Sequence, residues 1–533
     1  MLRTSSYTIY VALPDNDEEM LLVHGYTGAY DKVSRKVARY LLAMEAGPPP
    51  KPLYGSWTTE PALHGGNGNG HANGNGNGNG HHHANGNGNG NGNGNGKHHA
   101  AAEAPSAGTL EVLKRRGYLT ELSVAEEEGY LARTAKTVHQ ASMEKGPQYL
   151  FMPTYDCNLR CSYCFQDHMR SDPENAHLLR TISREMVDRI FESFPALEAT
   201  HGIEPGTRRM RSIGFFGGEP LLARNRPIIE YIMQKGRELG PTSFWAVTNA
   251  TELDAYVDLL GPQGLGRIQI TLDGPPDEHD RRRIYADGSG SFERIARNIQ
   301  LALETGASIS VRMNMDLNNI GDAPLLADEI VARGWDQYRN FSTYTARITP
   351  ANEHTPVQTT FGTSYDLDNA IDELRAIHPS MRVIGRPDDG MQSRARQLFD
   401  RRDHALPQKT SYCGAHSTMY IFDAFGDIYA CWERTGDSRV RVGQVLDGGQ
   451  VELNAMNKMW RARTPASNPT CRKCRYAFHC GGGCAVLAEG KTGKFFTNYC
   501  DGFADRFRHS VAAAYLDHVN GVEVVEHERV CDL

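Results

Sequence analysis

Three cysteines lie close together in one short segment, "YDCNLRCSYCF", at residues 155–165. Cys157, Cys161 and Cys164 are separated by three and then two residues. Thiolates at this spacing form a soft, polarizable set of metal ligands. A structural zinc ion needs four ligands, and His168, four residues beyond Cys164, is the candidate fourth ligand in that alternative. With no fourth cysteine nearby, the spacing favours a cubane iron–sulfur cluster that leaves one iron open.

A glycine-rich turn follows further along the chain, in "FFGGEPLL" at residues 215–222. Gly217 and Gly218 are expected to let a ligand approach the backbone closely. The Glu219 carboxylate, just before Pro220, could accept hydrogen bonds from an ammonium group. Such a sequence is often only a turn, but its position after a strand and downstream of a three-thiol loop favours a binding role.

The C-terminal part of the chain holds a second field of seven cysteines. They are Cys413, Cys431, Cys471, Cys474, Cys480, Cys484 and Cys500. Gly426 lies between the first two, and the middle four are separated by two, five and three residues. Two structural zinc sites are an alternative that this spacing also permits. Cys531 fits neither group and is predicted to be a free thiol.

Composition excludes several classes of function. The 533 residues include 57 Lys and Arg against 64 Asp and Glu, a formal net charge of −7, which gives no support for binding nucleic acid or a membrane surface. No apolar run approaches the length of a membrane span, and no secretory signal is recognisable. We therefore expect a cytoplasmic protein without nucleic-acid or membrane partners. In that reducing compartment eleven cysteines indicate metal binding rather than disulfides.

Elements that could position these residues begin near residue 145. Six β-rich runs alternate with helical stretches: "QYLFMPTY", "RSIGFFG", "SFWAVTN", "RIQITLD", "SISVRMNMD" and "YRNFSTYTA". Alternation of this kind predicts an α/β fold with a parallel sheet. Six units favour a partial (β/α)6 TIM-like barrel over an open doubly wound sheet, at residues 145–346. The cysteine loop would then lie at the carboxyl end of the first strand, where such barrels place their chemistry.

The N-terminal region, residues 1–140, has a different pattern. Alternating apolar residues over 7–22 predict a β-hairpin, and two helical stretches follow, so that a small winged-helix-like module is expected. Residues 65–97 are almost entirely an Asn-Gly repeat, predicted to be a disordered insertion whose few histidines, His71 and His81 to His83, could bind a metal weakly. A plain cap on the barrel is the alternative interpretation of the module.

The remaining boundaries complete the predicted organisation. Residues 347–410 form a bridging region, residues 411–503 a cysteine-dense C-terminal domain, and residues 504–533 a tail or helix.

The order of "CNLRCSYC" and "GGEP", with strand–helix units between and after them, resembles the radical S-adenosylmethionine (radical SAM) enzymes over residues 147–345. The resemblance implies a 4Fe–4S cluster on the first three cysteines, with an open iron for the amino and carboxylate groups of S-adenosylmethionine. One electron then breaks a carbon–sulfur bond and releases a 5′-deoxyadenosyl radical. Glu219 would hold the ammonium group, and Tyr163 and Phe165 would lie near the adenine. The implied cofactor-binding residues are Tyr163, Phe165, Gly217, Gly218, Glu219, Pro220, Thr248, Asn249, Asp273, Arg312 and Asn314.

The C-terminal cysteines are similar to the SPASM extension of that family, which carries two auxiliary 4Fe–4S clusters and would bring the total to three. The family pattern implies full ligation of one cluster by Cys471, Cys474, Cys480 and Cys500. Cys413, Cys431 and Cys484 would supply three ligands to the other. The eighth cysteine of some members is absent here, so the fourth iron of that cluster is either open or held by a residue such as His416.

The N-terminal module resembles the recognition module of peptide-maturing radical enzymes, which adds a leader segment to its sheet edge as an extra strand. This resemblance implies an enzyme that crosslinks or oxidises a ribosomally made precursor peptide, with electrons from a flavodoxin or ferredoxin. One alternative is a maturase of a folded protein, such as the formation of formylglycine in a sulfatase. The other is a non-catalytic iron–sulfur or zinc scaffold. No general base is predicted.

Overall fold

The computed structural model describes residues 1–14, 16–45, 103–350, 352–356, 359–386, 389–400 and 406–522. The predicted insertion at 65–97 and Cys531 lie outside these described residues. Within the described ranges, each helix is too short or too polar to traverse a lipid bilayer.

The described part of the N-terminal region, residues 1–14, 16–45 and 103–143, contains five strands and three helices. These are β1 (Arg3–Thr4), β2 (Thr8–Leu13), β3 (Asn16–His24), β4 (Tyr30–Ser34), α1 (Arg35–Ala43), α2 (Ala107–Arg115), β5 (Leu119–Thr120) and α3 (Val124–Met143). The predicted hairpin is found, because β2 pairs antiparallel with β3, and β4 adds a third strand. β1 pairs separately with β5.

Both faces of this three-stranded sheet are covered. Side chains alternate between the faces along a strand, so Ile9 and Val11 pack toward the C-terminal helices while Tyr10 packs toward α1 and α2. One face of the sheet therefore packs against the C-terminal helices, and the other face is covered by α1 and α2. Helix α3 begins with a capping box, in which the side chains of Ser123 and Glu126 accept from each other's backbone amides.

The central region holds the strand–helix units. Its elements are β6 (Gln148–Phe151), β7 (Leu159–Cys161), α4 (His168–Ser171), α5 (Arg184–Ala199), β8 (Arg211–Phe215), α6 (Arg226–Glu238), β9 (Thr242–Thr248), β10 (Leu265–Thr271), α7 (Pro276–Arg282), β11 (Arg283–Tyr285), α8 (Phe292–Glu304), β12 (Ser308–Met315), α9 (Ala323–Ala332) and β13 (Phe341–Arg347).

All six predicted strands are present and parallel, in the spatial order β13-β12-β10-β9-β8-β6. They form the α/β sheet of a partial barrel, and their carboxyl ends share one edge. Apolar side chains of the strands and of α5, α6, α8 and α9 build the main core. The sequence analysis did not predict β7 and β11, a short antiparallel pair beyond that edge.

The C-terminal region extends the same sheet. Its elements are α10 (Ser364–Ile377), α11 (Asp389–Asp400), β14 (Met419–Phe422), β15 (Asp427–Tyr429), β16 (Gly443–Val445), β17 (Val451–Leu453), α12 (Ala455–Ala462), α13 (Pro469–Arg472), α14 (Ala477–Cys480), α15 (Ala485–Thr492) and α16 (Phe503–Val519). Strand β14 lies parallel to β6, and β15 to β17 continue as an antiparallel meander, which gives ten strands in one sheet. The predicted domain boundary at residue 411 stays a prediction.

Short 3-10 helices connect these elements. They lie at Pro173–Leu179, Ala223–Asn225, Leu253–Leu259, Ile320–Asp322, Trp335–Gln337, Pro379–Val383, Gly414–His416, Trp432–Arg434, Ser438–Val440, Asp447–Gly449 and Pro465–Ser467.

Candidate functional site

The cysteine loop follows β6 at the carboxyl edge of the parallel strands. Cys157, Cys161 and Cys164 line one cavity of ≈ 220 Å³ together with residues from the ends of β8, β9, β10 and β12. Burial raises the pKa of Cys157 to about 12 and that of Cys161 to about 11, and repulsion from neighbouring thiols acts in the same direction. The structure thus brings the three predicted ligands together, and a metal centre must displace their protons to bind.

Two buried arginines stand beside these thiols, and neither was predicted from the sequence. Arg170 donates a hydrogen bond from Nη2 to Sγ of Cys164 at 3.2 Å. Its Nε and Nη1 atoms are buried without a partner in the described chain. Arg283 is the register partner of Cys161 across β11 and β7, and its charge lowers the pKa of that thiol. An iron–sulfur core held by thiolates is anionic, so guanidinium groups with unused donors fit it.

The glycine turn packs against the backbone that leads into the cysteine loop. A Cβ atom on Gly217 would lie 2.5 Å from the Thr154 carbonyl oxygen, and one on Gly218 would lie 2.2 Å from that of Asp156. The amide of Gly218 donates to Thr154 at 3.1 Å. Both glycines also line the cavity. Glycine is therefore needed at both positions because the chain's own backbone passes so close, in addition to the expected approach of a ligand.

Glu219 is held rigidly at the base of this cavity, with only 2% of its surface exposed. Its carboxylate accepts hydrogen bonds from the Leu221 amide at 2.8 Å, the Thr248 hydroxyl at 2.6 Å and the Asn249 amide at 2.5 Å. Burial raises its pKa to about 7, against the effect of these three donors. A cation that reached this carboxylate would favour its ionised form. The neighbouring Pro220 is buried.

Asn249 connects the end of β9 to the cysteine loop. Its Nδ2 donates to Oδ1 of Asn158 at 2.9 Å and lies 3.7 Å from Sγ of Cys157. Its own Oδ1 accepts from the Thr251 hydroxyl at 2.7 Å. The predicted residues Glu219, Thr248 and Asn249 therefore form one hydrogen-bonded unit next to a thiol.

The hydroxyl of Tyr163 is the centre of a second polar network. It donates to the Asp273 carboxylate and accepts from Arg283 Nη1 at 2.7 Å and from Asn314 Nδ2 at 3.0 Å. Burial raises the pKa of Tyr163 well above its ordinary value, so the hydroxyl stays protonated. Arg312 joins the network by donating from Nε to Asn314 at 2.9 Å.

The predicted cofactor-binding residues occupy different depths in this network. Tyr163, Phe165, Arg312 and Asn314 line the cavity. Asp273 is fully buried, accepts from the Asn314 amide at 3.0 Å and holds the tyrosine from behind. Asp273 therefore positions Tyr163 and Asn314 from outside the cavity lining.

The cavity also has a wall from the C-terminal region, which the sequence analysis missed. Trp432 and Glu433, from the turn after Cys431, line it together with the ends of the barrel strands. The Trp432 ring stacks on Phe216, with centroids 5.3 Å apart and an interplanar angle of 22°. Nothing in the local pattern of "CWERTG" predicts this contact, because it depends on how two distant segments pack.

The C-terminal cysteines influence one another electrostatically in two sets, and their assignment to two clusters stays a prediction. Burial raises the pKa of Cys431 well above its ordinary value, and the charges of Glu433, Cys484 and Cys413 act in the same direction. Burial likewise raises the pKa of Cys471 to about 12, and the thiols of Cys480, Cys474 and Cys500 act in the same direction. Cys431, of the first set, directly precedes Trp432. The second reaches the surface at the exposed Cys500.

His416, the candidate fourth ligand of the first group, is otherwise engaged. It is buried and stacks on Trp460. Its Nδ1 donates to the Trp460 carbonyl at 3.2 Å, and Nε2 accepts from Arg463 at 3.5 Å. Burial lowers its pKa to about 3. Neither ring nitrogen faces a thiol as a free ligand would.

Across the described ranges, no three His, Cys, Asp or Glu side chains converge as ligands of a single metal ion would. The proposed zinc partner His168 instead stacks on His354, with ring centroids 3.9 Å apart. All ten described cysteines are free. A cubane cluster binds its thiolates through separate irons, whereas a structural zinc ion needs four ligands on one ion.

Comparisons with known proteins agree with this geometry. Residues 151–323 match the model of the Radical SAM superfamily. A probable GTP 3′,8-cyclase of Archaeoglobus fulgidus is 30% identical over 162 residues, which cover 30% of this chain and 46% of that protein. A GTP 3′,8-cyclase of Paracoccus denitrificans is 29% identical over 157 residues, covering 29% of this chain and 40% of that protein. The chain thus spans less than half the length of these relatives.

Among solved structures, native anSMEcpe with bound AdoMet (S-adenosylmethionine) and Cp18Cys peptide is similar in fold. The TM-score is 0.50 at 16% sequence identity, over 70% of this chain and 99% of that one. The match of residues 151–323 includes the cysteine loop, the glycine turn and the ends of β9, β10 and β12. The chain therefore carries a domain of the radical SAM superfamily, a superfamily of enzymes.

Proposed function

We propose that this protein is a radical SAM enzyme with two auxiliary 4Fe–4S clusters and that it modifies a ribosomally made precursor peptide. The observation that carries the proposal is the shared cavity. Three thiols of one loop line the cavity at the carboxyl edge of the strands. Glu219 lines it as well, and its carboxylate accepts hydrogen bonds from three donors. This arrangement joins a site for an open iron to a site for an ammonium group.

S-adenosylmethionine fits this wall through its polar ends. Glu219 would hold the ammonium group, while the neighbouring Cys157, Cys161 and Cys164 would hold the cluster whose open iron meets the amino acid moiety. When bound, these cofactors supply a 5′-deoxyadenosyl radical by one-electron cleavage of a carbon–sulfur bond. Arg170 and Arg283 balance the charge of the thiolates. Trp432 and the strand ends line the cavity and would limit the access of water to the bound cofactors.

The remaining cofactor contacts are assigned residue by residue. Gly217 and Gly218 shape the turn, and Thr248 and Asn249 fix the carboxylate of Glu219. Phe165, with Tyr163, would lie along the adenine. The network of Tyr163, Asp273, Arg312 and Asn314 would set the floor of the pocket.

The two C-terminal thiol groups support a route for electrons. Cys431 directly precedes Trp432, which lines the cavity, whereas Cys500 is exposed. A substrate that has lost a hydrogen atom to the deoxyadenosyl radical must still lose one electron and one proton to close a new bond. The group that contains Cys431 would accept that electron, and a flavodoxin or ferredoxin would exchange electrons with the enzyme. We also place the enzyme in the cytoplasm, where such thiols stay reduced.

A peptide substrate is supported by two observations. The fold neighbour anSMEcpe was solved with AdoMet and the Cp18Cys peptide bound. In the described N-terminal sheet, β4 pairs on one side only, with β3, which leaves an edge that an extended leader could join. The winged-helix-like interpretation of this module belongs to the proposal.

A small nucleotide substrate is the second candidate, since the curated relatives are GTP 3′,8-cyclases. The N-terminal sheet has no evident use in that reaction. Incubation with GTP and with the peptide encoded by a short neighbouring reading frame separates the two. Loss of hydrogen from the peptide, seen by mass spectrometry, supports the maturase, and conversion of GTP alone contradicts it.

Anaerobic reconstitution tests the enzyme itself. The proposal expects about twelve irons per chain, from three 4Fe–4S clusters, and formation of 5′-deoxyadenosine under reduction. Bound zinc without cleavage of S-adenosylmethionine would instead identify a scaffold.

A further inference from the structure

A second large cavity lies at the opposite edge of the sheet from the cysteine loop. Its lining includes Gln148 at the start of β6, Ser212 near the start of β8 and Thr418 just before β14, and its volume is ≈ 720 Å³. These three strands run parallel, so the cavity lies at their amino edge, whereas the candidate site lies at their carboxyl edge. A molecule bound in this amino-edge cavity would leave the candidate site open to its own substrate.

Two of the C-terminal thiols line the amino-edge cavity. Cys413 does so together with its neighbours Tyr412 and Gly414, and Cys480 does so together with His479. The proposed function assigns these two cysteines to different clusters. One opening therefore reaches a ligand of each proposed cluster, from the edge of the sheet opposite the candidate site.

The described residues around this cavity carry positive charge without any carboxylate. Neither Asp nor Glu is among them, and five cationic side chains are, namely Lys145, Arg209, Arg394, Lys409 and Arg506. Ion pairs hold Arg209 and Arg506, whereas Lys145 and Arg394 are exposed and make no ion pair within the described ranges. In a chain with a formal net charge of −7, such a surface is a local attraction for an anionic partner.

A different opening reaches the C-terminal thiols beside the N-terminal region. This cavity of ≈ 590 Å³ is lined by Cys474 and Cys500. Its charged lining is mixed, with two cationic and three acidic side chains: Lys473, Arg475, Glu45, Glu128 and Asp505. An anionic partner is therefore favoured at the amino-edge cavity and not at this second opening, because complementary charge selects the partner and like charge repels it.

We propose that the amino-edge cavity is the docking site of a one-electron carrier protein that presents an acidic face. This inference rests on the proposed function, in which Cys413 and Cys480 are ligands of two auxiliary clusters. After a cluster has taken an electron from the substrate radical, the oxidised carrier removes that electron and is itself reduced, and no bond forms or breaks in this step. Because the carrier and the substrate occupy opposite edges of the sheet, the exchange can proceed while the substrate stays bound.

The first test maps the docking site on the unchanged chain. The anaerobically reconstituted full-length protein is mixed with a purified plant-type ferredoxin of negative net charge, and a carbodiimide is added. This reagent joins carboxylates of the ferredoxin to nearby lysine amines with loss of water. Mass spectrometry should find the cross-link on Lys145, at the amino-edge cavity. A cross-link on the exposed Lys473, at the second opening, in place of Lys145 would overturn the inference.

The second test reverses charges and measures the affinity. One variant combines Lys145→Glu with Arg394→Glu. The matched control combines Lys473→Glu with Arg297→Glu, two exposed cations outside the cavity, and changes the net charge equally. Anaerobic calorimetry should show the Kd for the ferredoxin about tenfold or more weaker in the first variant, and changed by less than about twofold in the control. The difference should shrink as sodium chloride is added, since salt screens exposed charges.

Thermal unfolding and the iron content show that both variants are folded and loaded before their affinities are compared. Equal Kd values in the two variants, or no binding of the ferredoxin by iron-loaded wild type, would overturn the inference. The proposed function fails by other observations: no iron at the C-terminal thiols, or no 5′-deoxyadenosine when dithionite supplies the electron. A small reductant needs no docking site, so dithionite-driven cleavage should be the same in wild type and in both variants.

Discussion

Arg283 and Cys161 are register partners across the antiparallel strands β11 and β7. The pairing fixes a guanidinium group beside a thiol that the barrel places at its carboxyl edge. The same guanidinium donates to the Tyr163 hydroxyl at 2.7 Å, two residues further along the loop. Through this short strand pair, one guanidinium group contacts both the cysteine loop and the polar network around Tyr163.

The three cysteines of the loop are expected to be individually essential. Changing Cys157, Cys161 or Cys164 to Ala removes one of only three thiolates, so 5′-deoxyadenosine formation should fall to background. Iron bound by the C-terminal groups should remain, at about two thirds of the total for three equal clusters. Chromatography of the nucleoside and iron analysis measure both. Ser162→Ala, an exposed change in the same loop, should keep full cleavage. Retention of cleavage in a cysteine variant would refute the assignment of that residue.

Glu219 should control the affinity for S-adenosylmethionine. Glu219→Gln removes a charge-assisted hydrogen bond of about 1.5–3 kcal/mol, which corresponds to a roughly ten- to hundredfold weaker Kd. Equilibrium dialysis of reconstituted enzyme measures this change, and thermal unfolding checks that the variant is folded. An unchanged Kd would show that the ammonium group binds elsewhere.

The same residue predicts a pH dependence. Its raised pKa of about 7 means that the carboxyl becomes neutral as the pH falls from about 8 to about 6 in the enzyme without cofactor. A neutral carboxyl cannot pair its charge with an ammonium group, so affinity should weaken over this range. In Glu219→Gln the profile should be flat between the same limits. A wild-type affinity that strengthens on acidification would contradict the prediction.

Gly218 should tolerate no side chain. The Cβ of Gly218→Ala would lie 2.2 Å from the Asp156 carbonyl and 2.3 Å from that of Tyr155, so the loop or the turn must shift. Overpacking of this kind destabilises by about 1–3 kcal/mol or more. Denaturant unfolding under anaerobic conditions and the iron content report the two consequences. Gly321→Ala, where a Cβ meets nothing within 4 Å, is the control and should match the wild type.

Arg170 should tune the cluster at the cysteine loop. Reduction adds negative charge, which a buried cation stabilises, so Arg170→Ala should make the reduction potential more negative. A redox titration followed by electron paramagnetic resonance measures the shift. Arg224→Ala serves as control, because that side chain is 57% exposed and pairs with Asp156 in the same loop. Equal potentials in the two variants would mean that Arg170 only fills space.

The six parallel strands were predictable because each is a short run of apolar and β-branched residues between helical stretches. The lining of one cavity by Cys157, Cys161 and Cys164 was likewise predictable from their spacing after a strand, whereas the distribution of the C-terminal cysteines over two clusters stays a prediction. Both depend on local composition and spacing. The carboxylate of Glu219 was predictable for the same reason, because its turn directly follows a strand.

Other parts of the site could not be derived from the sequence. Trp432 and Glu433 reach the cavity through contacts between segments far apart in the chain, which leave no local pattern. Arg170 lies only six residues after Cys164, but its hydrogen bond to that thiol depends on the path of the loop between them. The role of Asp273 behind Tyr163 depends on side-chain depth. Periodicity gives the face of an element, but not the distance of one residue from a partner on another element.

Strand β14 lies against β6, and the paired residues Met419 and Gln148 are roughly 270 positions apart. During synthesis on the ribosome, the outer edge of β6 therefore remains unpaired until the rest of the barrel, the bridging region and β14 have been made. An unpaired edge is a template for association with other chains. Truncated forms that stop before residue 422 should thus aggregate, and expression conditions that slow growth and supply chaperones should improve the yield of the intact chain.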